Sequence, residues 1–158
     1  MNYIYKPIDT FTEDEPFIII HGVNQLMVMG SGIALAIKEK WPIVEHEYLS
    51  KGVRQLGDCQ WVKVGDNQYV VNLFTQQYVK GYKQRHLTNN DPAADRNAVC
   101  AGLMRLCAQS VMHKLPVYIP KIGCGLGGLE WSDVERDIDL IELFSQMEFN
   151  IIDNVPVR

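Results

Sequence analysis

The sequence has little of what marks several large classes of protein. It contains four cysteines with no CxxC pair among them, and no apolar run approaches the length of a membrane span. The N-terminus has no long apolar stretch behind a basic start. These absences favour a cytoplasmic protein with no disulfide framework, no metal site and no membrane partner. Cys59, Cys100, Cys107 and Cys124 are interpreted as buried small apolar residues.

An excess of positive charge is missing as well. The 158 residues carry a formal net charge of −4 at pH 7, and 47% of them are hydrophobic. This length and composition, without internal repeats, predict a single domain over residues 1–158 that is large enough to bury a core. The negative charge would repel nucleic acid outside a local basic patch such as Lys80, Lys83 and Arg85. We therefore expect a monomer that does not bind duplex nucleic acid.

What the sequence does contain is two glycine-rich segments, at residues 29–34 and 122–128. Each follows an apolar run typical of a strand and precedes a helical pattern. Glycine lets the main chain approach a ligand closely and adopt positive φ. The first turn of a helix adds unpaired N–H groups and a partial positive charge. Two such segments in one small domain are typical of a protein that binds a diphosphate.

Apolar runs predict the strands of the fold. They cover residues 3–5, 17–21, 59–64, 69–75, 117–120 and 149–152. The unbroken run at 17–21 is typical of a strand buried on both faces of a sheet, and residues 65–68 predict a hairpin turn.

Helical spacing predicts the remaining elements. One apolar stripe ends at Pro42, and a second helical piece follows until Gly52. A third helix is expected from Asp91 and Pro92 to about His113. A last helix is expected from the capping-box spacing of Ser132 and Glu135. Its predicted apolar face comprises Val134, Ile138, Leu140, Ile141 and Phe144.

Strands interleaved with helices predict an α/β fold, a three-layer α/β/α sandwich, and the hairpin makes its central sheet mixed. Ligands of such sheets bind beyond the carboxyl ends of central strands. Both glycine segments follow predicted strands directly. They are therefore expected to face one cleft.

Four segments, taken in order, resemble the motifs of a macro domain. They are His21-Gly22-Val23-Asn24, residues 29–34, residues 72–76, and residues 119–126 with Trp131. The likeness covers nearly the whole chain. Within that superfamily it is similar to the branch that holds the ADP-ribose-1''-phosphate phosphatases and the terminal ADP-ribose protein glycohydrolase.

The resemblance implies a site for ADP-ribose or ADP-ribose-1''-phosphate in the cleft, with no cofactor. Asn24 matches the asparagine that contacts the distal ribose, and Asp9 matches, displaced by one position, the aspartate that holds the adenine amino group. Thr75, at the end of a strand, is expected to line the cleft. The first loop would wrap the distal ribose, and the second would bind the diphosphate through its main-chain N–H groups. The residues concerned are Gly30, Ser31, Gly32, Ile33 and Ala34 in the first loop, and Ile122, Gly123, Cys124, Gly125, Leu126 and Gly127 in the second.

The chain departs from this branch at two places that carry chemistry. The glycohydrolase works with a lysine after the fourth strand and an aspartate in the second glycine loop, and the matching places here are Gln76 and Gly127. Neither exchanges a proton near neutral pH. Lys80 or Lys83 would have to reach the cleft from elsewhere.

Three functions follow from this pattern. The first is hydrolysis of ADP-ribose-1''-phosphate, with Asn24 positioning the ribose and His21 relaying a proton. The alternative for His21 is a ring that bonds a backbone carbonyl at the strand end. The second function is a non-catalytic reader of ADP-ribose, free or on ADP-ribosylated protein, and the third is a de-ADP-ribosylating hydrolase. A dinucleotide oxidoreductase is disfavoured because residues 30–32 lack the third glycine of GxGxxG.

Overall fold

The computed structural model describes residues 1–52, 54–78 and 92–153. Six strands in this part of the chain form one sheet, and helices pack on both of its faces. The strands are β1 (Asn2–Tyr5), β2 (Phe17–Asn24), β3 (Cys59–Gly65), β4 (Gln68–Gln76), β5 (Val117–Ile119) and β6 (Phe149–Asp153). The helices are α1 (Gly32–Lys40), α2 (Pro42–Ser50), α3 (Arg96–Cys107) and α4 (Trp131–Ser145), with short 3-10 turns at Ile8–Thr10 and Ser110–His113.

The sheet is mixed, as predicted. Its strand order is β1-β6-β5-β2-β4-β3, and every neighbouring pair is parallel except β3 and β4. That antiparallel pair is the predicted hairpin, and its turn contains Asn67 in the left-handed region at φ 55°. Because β2 lies between β5 and β4, the carboxyl ends of three parallel strands meet at one edge.

Two hydrophobic cores separate the three layers. On one face of the sheet, Leu103 of α3 and Ile138 of α4 pack with Ile20 of β2. On the other face, Ile37 of α1 and Val44 of α2 complete the core. Alternate residues of β2 enter opposite cores because strand side chains alternate in direction. The predicted α/β/α sandwich is confirmed.

Helix α3 begins later than predicted. It starts at Arg96 because Asp95, not Asp91, is its N-cap, and the Asp95 carboxylate accepts a hydrogen bond from the Ala98 N–H at 3.1 Å. The helix also ends at Cys107, and a separate 3-10 turn carries the chain to His113. Asp91 lies outside the described residues, as do Lys80, Lys83 and Arg85.

Two expectations for α4 are wrong. The helix begins at Trp131 with no side-chain cap, so Ser132 and Glu135 form no capping box, and Glu135 instead accepts a hydrogen bond from the Tyr3 hydroxyl. Leu140 and Phe144 are 50% and 84% exposed. These two residues lie about 100° around the helix from the buried residues of α4, so they cannot share that apolar face. The buried residues are Val134, Ile138 and Ile141.

The four cysteines are free thiols and only partly buried, so the expectation of full burial is wrong. Partial burial raises the pKa of Cys59, Cys100 and Cys124 to about 11 each. Among the described residues, no three metal-ligating side chains are grouped closely enough to hold an ion. No helix within this part of the chain is long and apolar enough to cross a bilayer.

Candidate functional site

A cavity of about 390 Å³ lies at the edge where β2, β4 and β5 end. Both glycine loops line it, one following β2 and the other following β5. The two segments therefore face one cleft, as the sequence predicts. The described residues that line the cavity are Gly22, Val23, Asn24, Val28, Gly30, Ser31, Gly32, Ile33, Ala34, Thr75, Gln76, Pro120, Lys121, Ile122, Gly123, Gly125, Leu126 and Gly127.

The first glycine loop leaves the start of α1 open toward the cavity. Ser31 is the N-cap residue, yet its side chain makes no capping hydrogen bond. The first main-chain bond of the helix runs from the Leu35 N–H to the Ser31 carbonyl at 3.2 Å. The N–H groups of Gly32, Ile33 and Ala34 therefore have no acceptor within the described chain. A helix start of this kind attracts anions.

The start of helix α3 differs from the start of α1 because it is capped by an acidic side chain. There the Asp95 carboxylate occupies the helix start and satisfies an N–H of the first turn. An acidic cap would repel a bound anion. The cavity side of α1 has no such group among the described residues, so its N–H donors remain available.

The second glycine loop is held in shape by its own main chain. The Leu129 N–H donates to the Gly123 carbonyl, and the Ala94 N–H donates to the Gly127 carbonyl, each at 2.9 Å. Gly123 has φ 76°, a conformation that favours glycine. Within the described part of the chain, the N–H groups of Gly125, Leu126 and Gly127 donate no hydrogen bond.

Two glycines of this loop face different surroundings. A Cβ atom placed on Gly127 would come within 2.3 Å of the Gly123 carbonyl oxygen and 2.8 Å of the Ala94 Cβ atom, so a side chain would displace the backbone. A Cβ atom on Gly125 would meet no atom within 4 Å. Gly125 also lines the cavity, so a side chain there would meet no protein atom beside a candidate ligand site.

Asn24 stands at the carboxyl end of β2, after a β-bulge between Val23 and Asn24. Its Nδ2 atom donates to the Val28 carbonyl at 2.9 Å. Its Oδ1 atom accepts from the Val28 N–H at 3.3 Å, and the Tyr48 hydroxyl oxygen lies 3.2 Å away. An asparagine amide has two donor hydrogens. One N–H of Asn24 is therefore left to contact a ligand in the cavity.

His21 does not line the cavity. Its side chain is fully buried, and its Nε2 atom lies 2.6 Å from Asn72 Oδ1. Burial lowers the pKa of His21 to about 4, although the Asn72 bond opposes the shift. A buried, neutral imidazole cannot relay protons to a ligand in the cavity. The alternative of a bond to a backbone carbonyl is also wrong, because the partner is a side chain.

The other predicted residues divide between the cavity and its surroundings. Thr75 lines the cavity and is fully buried. Asp9 is exposed in the 3-10 turn before β2 and is absent from the lining, and its carbonyl accepts from the Lys40 ammonium at 3.1 Å. Cys124 is likewise absent from the lining, and its thiol donates to the Ile122 carbonyl at 3.3 Å.

Lys121 is a cavity residue to which the sequence assigned no role. It is the one charged side chain among the described residues of the lining, which include no carboxylate or imidazole. Its position between Pro120 and Ile122, inside the segment 119–126 that resembles a macro domain motif, was the available signal. The cavity therefore combines unpaired N–H groups with one ammonium, which suits an anionic ligand.

This arrangement defines an α/β domain whose cavity, at the carboxyl edge of the sheet, suits an anionic ligand. The sequence pattern of the macro domain family matches residues 20–138. The chain belongs to the macro domain family.

Similar proteins agree with this assignment. A crystal structure of a protein from Bacteroides thetaiotaomicron superposes with a TM-score of 0.80 at 26% identity, covering 97% of this chain and 99% of that one. The ADP-ribose 1''-phosphate phosphatase of Lodderomyces elongisporus is 24% identical over 154 residues, 90% of this chain and 92% of that protein. The DNA ADP-ribosyl glycohydrolase of Mycobacterium bovis is 27% identical over 135 residues, 82% of this chain. The match spans 35% of the length of that glycohydrolase.

Proposed function

We propose that this chain binds ADP-ribose between the two glycine loops and hydrolyses ADP-ribose-1''-phosphate to ADP-ribose and phosphate. The observation that carries the proposal is that two groups of unpaired main-chain N–H donors line one cavity. One group lies at the start of α1 and the other lies in the second glycine loop. Macro domain membership and the names of both relatives, each of which acts on an ADP-ribose derivative, support the same ligand.

The diphosphate is the part of the ligand that these donors suit. The N–H groups of Gly125, Leu126 and Gly127 come from one short loop, and that loop is already shaped by its own hydrogen bonds. Donors fixed before binding cost little conformational entropy when the ligand arrives. Lys121 adds a positive charge at the same cavity.

The phosphatase reaction is favoured over glycohydrolase chemistry because two catalytic residues of a glycohydrolase are missing from their places in this chain. By the resemblance to the terminal ADP-ribose protein glycohydrolase, Gln76 and Gly127 take the places of its lysine and aspartate. The Gln76 amide donates to the Tyr78 carbonyl at 2.8 Å, and a side chain at Gly127 would collide with Gly123. The match to the phosphatase also extends over nearly the full length of both proteins.

The reaction would be a water attack on the phosphorus of the 1''-phosphate. A P–O bond to the water oxygen forms as the P–O bond to the ribose breaks, one proton of the water passes to the departing ribose oxygen to give the 1''-hydroxyl, and the water oxygen leaves within inorganic phosphate. The free N–H of Asn24 would hold an oxygen of the distal ribose. Among the described lining residues no carboxylate or imidazole is present to take the proton of the water. Positioning and charge stabilisation would therefore supply the rate enhancement.

A second candidate function is a reader that binds ADP-ribose without turning it over. The identities of Gln76 and Gly127 favour it, because neither exchanges a proton and the described lining holds no carboxylate or imidazole to act as a general base.

Incubation of the purified protein with ADP-ribose-1''-phosphate, followed by an assay for free phosphate, separates the two. Turnover supports the phosphatase, whereas ADP-ribose binding without phosphate release supports the reader. A third arm with ADP-ribosylated protein or DNA detects de-ADP-ribosylation.

A further inference from the structure

Tyr48 contacts the site although it does not line the cavity. It lies on α2, its side chain is fully buried, and its ring packs against Phe74 with the centroids 5.8 Å apart. Its hydroxyl donates to the main-chain carbonyl of Asn24 and lies 3.2 Å from Asn24 Oδ1. A residue of the helical layer thus touches both the backbone and the side chain of the residue at the end of β2.

The bond to Tyr48 differs from the two bonds that Asn24 makes to Val28. Val28 belongs to the first loop and is 49% exposed, and its neighbour Met27 has φ 64°, which is uncommon for a residue other than glycine. Tyr48 is fully buried on α2, so its bond to the Asn24 main-chain carbonyl ties that residue to the packed helical layer.

A line of buried hydrogen bonds holds α2 in its place over the sheet. The Gln60 amide donates to the Glu47 carbonyl at 2.9 Å, next to Tyr48 in the chain. The Asn72 amide donates to Gln60 Oε1 at 3.1 Å, and His21 bonds to Asn72 in turn. These hydrogen bonds connect His21 on β2, through Asn72 on β4 and Gln60 on β3, to the main chain of α2. The bond from Tyr48 on α2 to the Asn24 carbonyl connects the same helix to the end of β2.

We infer that Tyr48 is a positioning residue that orients the Asn24 amide toward the distal ribose of ADP-ribose. Asn24 Oδ1 accepts from the Val28 N–H, and the Tyr48 oxygen, whose single hydrogen goes to the Asn24 main-chain carbonyl, lies 3.2 Å from the same side-chain oxygen. The amide therefore presents an N–H, not an oxygen, to the ligand. The inference rests on the proposed function, because it needs ADP-ribose in the cavity.

Calorimetric titration of the Tyr48→Phe variant with ADP-ribose and with ADP tests it. Phenylalanine keeps the ring against Phe74 and removes only the hydroxyl. We expect about 5- to 10-fold weaker binding of ADP-ribose, the size of one lost hydrogen bond. ADP lacks the distal ribose, so its affinity should not change. Tyr69→Phe is the matched control, because the Tyr69 hydroxyl makes no hydrogen bond within the described residues and its ring packs on Trp61.

A double variant makes the test specific to Asn24. In an Asn24→Ala background, Tyr48→Phe should weaken ADP-ribose binding no further, since the amide that it orients is gone. Equal losses for ADP and ADP-ribose would mean a general structural role and would overturn the inference. So would additive losses in the double variant. Absence of ADP-ribose binding by the unaltered protein would instead contradict the proposed function.

If the Tyr48→Phe variant does not fold, the orientation of the Asn24 amide can be measured by NMR on the unaltered protein. With ¹⁵N labelling, the Asn24 side-chain amide gives two proton signals, of which one belongs to the hydrogen bonded to Val28 and the other to the free hydrogen. The signal of the free hydrogen should shift on adding ADP-ribose and stay unchanged on adding ADP. A shift with neither ligand, or the same shift with both, would also overturn the inference.

Discussion

The Nε2 atom of His21 lies 2.6 Å from Oδ1 of Asn72, in the centre of the sheet. The two residues are directly paired on β2 and β4. Asn72 uses its amide nitrogen for Gln60, so its oxygen faces His21 and the imidazole is the donor. Nδ1 of His21 is buried and has no hydrogen-bond partner within the described residues.

The burial of His21 predicts a pH dependence of stability, which the Asn72 bond reduces. The pKa of His21 falls from 6.5 to about 4 on folding, so only the unfolded chain binds a proton between these values. The stabilisation is complete above pH 6.5 and is lost as the pH falls toward 4, by roughly 3 kcal/mol in the free energy of unfolding. Urea unfolding at several pH values between 7 and 4 measures it.

The His21→Gln variant is the control. Its amide nitrogen can still donate to Asn72, but it does not titrate. The variant should therefore lose less stability than the unaltered protein across this pH range. Parallel pH profiles for the two proteins would show that His21 is not the group responsible.

Gly125→Val should abolish ADP-ribose binding and leave stability unchanged. No atom lies within 4 Å of the position that its Cβ would take, and Gly125 is a lining residue of the cavity. We expect at least about a 100-fold loss of affinity, because the side chain would stand where the diphosphate binds. Calorimetry and the thermal midpoint measure the two effects. Unaltered affinity would place the ligand elsewhere.

Gly127→Ala should act on the fold as well as on binding. Its Cβ atom would lie 2.3 Å from the Gly123 carbonyl oxygen, so the loop must shift and its N–H groups lose their alignment. Overpacking of this kind costs about 1–3 kcal/mol. Urea unfolding checks the prediction, and a variant as stable as the unaltered protein would contradict the loop geometry.

Asn24→Ala should reduce turnover of ADP-ribose-1''-phosphate more than affinity for ADP-ribose. The amide positions the distal ribose at the reacting end, while the main-chain donors of the loops hold the diphosphate. Steady-state kinetics separates kcat from KM. Asn150→Ala on β6, which removes an amide that bonds the Val117 carbonyl away from the cavity, should leave both unchanged. Intact kcat in Asn24→Ala would reject the role given to Asn24.

Much of the fold could be predicted from local patterns. The apolar run of β2 and the turn at Asn67 both specify their structure through neighbouring residues alone. The start of α3 could not be placed, because Asp91 and Asp95 are both good N-cap residues. The outward position of Phe144 could not be predicted either. The final helix is rich in apolar residues, and only packing against the sheet selects which stripe is buried.

Some features of the candidate site could likewise be predicted from local sequence, whereas others depend on tertiary packing. The glycine loops could be found from sequence because their backbone conformations depend on glycine, and Gly123 and Gly32 do have positive φ. The burial of His21 depends on which face of the sheet it enters and on the helices above it. The polar line from Asn72 to Gln60 depends on strand register, which no local pattern reveals.

Calorimetric titration with ADP-ribose, beside AMP and NAD as controls, tests the central claim most directly. The account predicts saturable heat with ADP-ribose, with a dissociation constant in the micromolar range or below, and much weaker binding of AMP. It also predicts that the Gly125→Val variant gives no heat. Equal heats from ADP-ribose and AMP, or none from either, would contradict a cavity built around the diphosphate and distal ribose.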